Sequence, residues 1–82
     1  MLEEIRSQLQ QVIETAPTGE LAAVRTRLEE LGGLLYQVAG TSTNDDVRQA
    51  LQLFGIAHEK VSEAVQAVAQ ATDHVSTFSA VL

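Results

Sequence analysis

The chain has 82 residues, a net charge of −6, no cysteine and no tryptophan. That length allows one small domain, which needs a tight third layer, a covalent staple or a second chain to hide its apolar surface; without cysteine no disulfide serves as the staple. The acidic balance, with Arg6, Arg25, Arg27, Arg48 and Lys60 scattered, argues against nucleic-acid and anionic-membrane partners.

The apolar content is Ala, Val and Leu spaced by Gln, which favours helices over a sheet with an aromatic core. Leu2, Ile5, Leu9 and Val12, with Ile13, define a first amphipathic segment. Glu3 and Glu4 fall in its opening turn, where the helix dipole favours negative charge. Pro17 cannot donate a backbone hydrogen bond and disfavours helix at Ala16, so a boundary or kink is expected there. Ile13, Pro17, Leu21 and Val24 can share one face. A continuous kinked helix and a short break between two nearly collinear helices both fit.

Beyond it, Leu21, Val24, Leu28, Leu31, Leu35 and Val38 repeat at heptad spacing. Gly32-Gly33 interrupts this run at a cost of about 2 kcal/mol relative to two alanines. It reads as a close-packing notch against the alanine stripe of the next helix (Ala50, Ala57, Ala64, Ala71), with a flexible joint as the other reading. Gly40 fits a left-handed helix C-terminus. Thr41 to Asn44 form a polar turn, and Thr43 or Asn44 caps the next helix, with Asp45 and Asp46 in its first turn.

The C-terminal half is an unbroken heptad. Val47, Leu51, Phe54, His58, Val61, Val65, Val68, Thr72, Val75, Ser79 and Leu82 make one seam of coiled-coil type. Beside it run Ala50, Ala57, Ala64, Ala71 and Phe78, a flank on which another helix can approach closely. A helix over about residues 45–81 would be ~55 Å long, and the two N-terminal segments together match it. The expected fold is all-α: an antiparallel hairpin with arm one at about 2–39, a turn at 40–44 and arm two at about 45–81. Its first arm is kinked or broken near Pro17.

Leu34, Leu53 and Ile56 lie outside the seams, so a lone hairpin leaves apolar surface uncovered. Pairing two hairpins into a four-helix bundle would cover it, as a homodimer or with a similar hairpin. The expected interface residues are Leu28, Leu31, Leu35, Ala50, Phe54, Ala57, His58, Val61, Ala64, Val65, Val68, Ala71 and Phe78.

Catalysis finds no support. His58 sits in the seam, where a polar residue fixes register or oligomer state more readily than it serves as a pH switch or metal ligand. His74 is far from it in sequence and lacks i,i+4 ligand spacing, so no metal site is expected. Thr72 and Ser79 read as hydroxyls bonding back to their own helix; a weakened end that opens for a partner is the alternative. The carboxylates mostly point away from the seams, with Arg25–Glu29 and Arg27–Glu30 as ordinary surface pairs. No nucleophile triad and no phosphate loop is present, and no cofactor is implied.

The Leu21–Val38 run, the Gly40–Asp46 turn and the Val47–Val75 run resemble the WXG100 (ESX-type) hairpins. They resemble still more closely small actinobacterial helical proteins of unknown function with Ala/Val/Gln-rich heptads. The W-x-G motif is absent, since the turn reads Val38-Ala39-Gly40-Thr41-Ser42. Phe78 is followed by Ser79-Ala80-Val81-Leu82 in place of the family's tyrosine-and-acid secretion motif. The resemblance therefore implies architecture and dimerisation, not secretion. The expected function is a non-enzymatic interaction module, an adaptor or partner of a larger protein such as a secreted effector or toxin. The alternative is an acidic immunity or regulatory protein that neutralises a basic toxin or enzyme. With Glu3 and Glu4 in place of a basic leader, the expected location is the cytoplasm, a signal-independent export route being compatible.

Overall fold

A computed structural model describes residues 1–82 as three helices: α1 (Leu2–Thr15), α2 (Thr18–Ala39) and α3 (Asp45–Ala80). α1 and α2 form one arm and lie antiparallel to α3, α2 along its N-terminal part and α1 along its C-terminal part. The result is a rod of 63 × 14 × 13 Å. Its radius of gyration is 18.8 Å, against about 12 Å for a compact domain of this length.

The break in the first arm follows from Pro17. Ala16, the residue before it, is extended at φ −61° and ψ 130°, outside the helical region as pre-proline sterics require. Thr18 N–H then bonds Ala16 O at 2.9 Å, and Leu21 N–H bonds Pro17 O at 2.9 Å, so α2 restarts at once. Of the two readings of this segment, the short break holds. The restart resets the helical phase and brings Leu21, Leu28 and Leu35 toward α3, where each is half-buried.

At the hairpin end, Gly40 departs from the expected left-handed cap. It is right-handed, at φ −64° and ψ −22°, and its N–H continues the helical ladder to Tyr36 O at 2.7 Å. What requires glycine here is space: a Cβ would lie 2.9 and 3.1 Å from ring carbons of Tyr36. Asn44 supplies the N-cap of α3, its Oδ1 accepting from Asp46 N–H at 2.8 Å and Val47 N–H at 3.4 Å. The Asn44 N–H in turn donates to Ser42 Oγ at 3.1 Å.

No residue of the chain is fully buried. Two arms in a single layer hide only the sides that face each other. The accessible surface is 6286 Å², whereas a globular monomer of 8.8 kDa exposes about 4,800 Å².

Candidate interaction surface

All eleven residues of the α3 heptad, from Val47 to Leu82, are half-buried, so the seam is the side that meets the first arm. α2 behaves differently. Its shielded positions are Thr18, Leu21, Ala22, Arg25, Leu28, Gly32, Leu35 and Ala39, while Val24, Leu31 and Val38 are 42%, 49% and 78% exposed. α3 therefore covers the small flank of the leucine row and leaves the bulky flank open, so Val24, Leu31 and Val38 of the expected heptad run lie outside the contact between the arms. Phe54 packs on this flank: its Cβ lies 3.6 Å from where a Cβ on Gly32 would stand, so a residue no larger than alanine fits at position 32 beside it. The glycine notch thus receives Phe54, not the alanine ribbon, and Gly33 beside it faces open space.

The hairpin consequently has two unlike long sides. On one, Leu28, Ala50, Leu53, Phe54 and Ala57 line an open apolar hollow. Further along that side, Val12, Ala16, Val68, Ala71 and Val75 line a second hollow between α1 and α3, together with Thr15 and Thr72. Val24 and Leu31 belong to the same side, one helical turn either way from Leu28 and on the other flank of it from Glu29 and Gly32. We call this the alanine side. Ala50, Ala57 and Ala64 are half-buried on it, while Ala71 and Phe78 are exposed, the latter at 53%. Leu34 and Leu53 stand at its margins, 57% and 62% exposed.

The opposite, glycine side has a hollow bounded by Glu29, Gly32, Gly33, Gly55 and His58. There His58 Nε2 donates to Glu29 Oε1 at 3.0 Å, an ion pair whenever the imidazole is protonated. It is the one side-chain hydrogen bond between the arms. Sequence reasoning had Glu29 pointing to solvent and paired with Arg25; neither the Arg25–Glu29 nor the Arg27–Glu30 pair forms. The only other salt bridge joins Lys60 to Glu63 at 3.9 Å on the surface. Helical phase also puts Glu3, Glu14, Asp45, Glu59 and Asp73 on the glycine side, where Glu29 already lies, together with Arg6, Arg25 and Arg48. The alanine side carries Glu4, Glu20 and Asp46 against Arg27 and Lys60.

The remaining candidates are structural. Phe54, Val61, Val65 and Val68 are half-buried seam residues. Thr72 Oγ1 donates to Ala69 O at 2.9 Å, the local back-bond expected of a seam threonine, while no side-chain hydrogen bond forms at Ser79. No group of three or more His, Cys, Asp or Glu residues gathers where a metal could be held. No helix is long and apolar enough to cross a membrane. Comparison with protein-family models, with curated proteins and with solved structures finds no match to the chain.

Proposed function

We propose that this protein is a non-enzymatic interaction module, a helical hairpin that dimerises and serves as adaptor or partner of a larger protein. One observation carries the reading: a folded rod with no buried residue and 6286 Å² of accessible surface. That is about 1,500 Å² more than a globular chain of its mass exposes. Obligate partners bury 2,000–5,000 Å² in total, about 1,000–2,500 Å² from each, so the excess is of the size one such interface removes. The likeness to WXG100 hairpins supports the adaptor role, with a secreted effector as the larger partner.

Light scattering at micromolar concentration tests it, with an expected mass of twice 8.8 kDa. Replacing Ala57 and Ala64 by Leu is expected to lower stability by ~1–3 kcal/mol or change the mass, through overpacking. A monomer mass with full helicity, unaltered by those changes, would sink the reading.

The second reading, an acidic protein that neutralises a basic toxin or enzyme, draws on the carboxylates of the glycine side. It predicts binding that falls steeply with salt, because surface charge attraction is screened.

A further inference from the structure

We propose that the alanine side is covered by a second copy of this chain, the two hairpins running parallel about a two-fold axis that lies along the rods. α2 of each copy then rests on the alanine ribbon of α3 in the other, and both 40–44 turns sit at the same end. The inference rests on the interaction-module reading and names its partner and geometry.

Three features of the surface lead there. The first is size. The excess of about 1,500 Å² per chain matches what one copy of an obligate dimer hides, without invoking a larger partner. The second is charge. Two copies each carrying −6 would repel more if they met through the glycine side, where six carboxylates stand against three cations, Arg6, Arg25 and Arg48. The alanine side is nearer balance, three carboxylates against two cations, so like chains approach there at less cost.

The third is shape, and it selects the axis. A symmetric contact must place the same patch on itself, residue i on j and j on i. The alanine side presents a bulky stripe on α2, Val24, Leu31 and Val38, beside a small stripe on α3, Ala50, Ala57 and Ala64. An axis along the rods puts bulky over small twice and preserves height. Because Gly32 faces Phe54, Leu31 stands level with the gap between Ala50 and Ala57. Leu34 likewise stands level with Leu53, so these exposed leucines meet across the contact. Arg27 and Lys60 share another level at the solvent rim, where screening keeps their repulsion small. An axis across the rods instead sets the first arms bulky on bulky and α3 small on small. One pair of helices would then be spread wide and the other pressed together.

The chain has no cysteine, so a single exposed one at the turn, Thr41→Cys, carries a spin label cleanly. Light scattering on the labelled protein gives the mass, circular dichroism its helicity, and electron–electron double resonance the label separation. A dimer with labels within about 30 Å is expected, since bundle helices pack at 8–10 Å spacing. A dimer whose labels show no short distance, as when the turns lie at opposite ends of a 63 Å rod, overturns the parallel arrangement but leaves the module reading standing. A helical monomer overturns both.

Discussion

Gly33 and Gly55 sit in the interiors of α2 and α3, and nothing lies within 4 Å of a Cβ added to either. Glycine in a helix costs about 1 kcal/mol relative to alanine, chiefly because the unfolded chain gains more freedom from it. Where the folded state offers no clash, that cost is recoverable. Gly33→Ala and Gly55→Ala should each stabilise the protein by about 1 kcal/mol, or roughly 4–8 °C in melting temperature for a domain of this size. Both positions border the same hollow, so the double variant should gain more than either single change, with a departure from the sum that measures their coupling.

Gly32 and Gly40 bracket that expectation. A Cβ at Gly32 meets Phe54 Cβ at 3.6 Å, an ordinary contact, so Gly32→Ala should also gain. At Gly40 the same atom would crowd the Tyr36 carbonyl and come within 2.9 Å of its ring, so Gly40→Ala should lose stability. Thermal unfolding followed by circular dichroism, at one fixed concentration because the protein is expected to associate, reads all four. Light scattering on each variant checks that the mass is unchanged. Loss of stability in Gly33→Ala or Gly55→Ala, or a fall in mass, would refute the reasoning. It would mean that a second chain already occupies the space beside those glycines, and that the glycine side, not the alanine side, is the covered one.

Asn44→Ala should cost about 1 kcal/mol, since it strips the acceptor from two N–H groups of α3, whereas Thr43→Ala should leave the melting temperature where it is. Equal losses at the two positions would mean the cap is misassigned. A double-mutant cycle on His58→Ala and Glu29→Gln should give a coupling below about 1 kcal/mol, because the side chains are 32% and 64% exposed. A coupling above about 2 kcal/mol would show the pair sealed from water by something that packs over it.

The α3 seam was legible in full because one long helix with an unbroken heptad has a single apolar stripe to offer. The arm break was legible as a pair of alternatives, and the backbone limits on Ala16 and Pro17 decided between them. Other features were not readable from spacing. The leucine row at 21, 28 and 35 has two flanks at equivalent helical angles, 24/31/38 and 25/32/39, and periodicity treats them alike. Residue size pointed to the first flank as core. The partner helix took the second, where Phe54 packs over the small residue at position 32. The His58–Glu29 bond was missed for a related reason: each residue was judged on its own helix, and only the register between helices brings them to 3.0 Å.

That choice of flank is also what makes the surface unusual for a chain standing alone. Had the arms closed on Val24, Leu31 and Val38, the side left to water would have shown Arg25, Gly32 and Ala39, small or charged and at ease there. By closing on the small residues instead, the hairpin brings its backbones near each other and turns its larger side chains outward, beside a ribbon of alanines. A monomer gains nothing from that orientation, since scattered exposed apolar residues are tolerated but a continuous stripe is a liability. A second rod laid along the stripe converts the same orientation into interdigitated layers of large and small side chains, the packing that helix bundles use. The internal fit around Gly32 and the open stripe on Leu31 are thus two consequences of one register. The proposed pairing of two hairpins is the arrangement that would make both favourable.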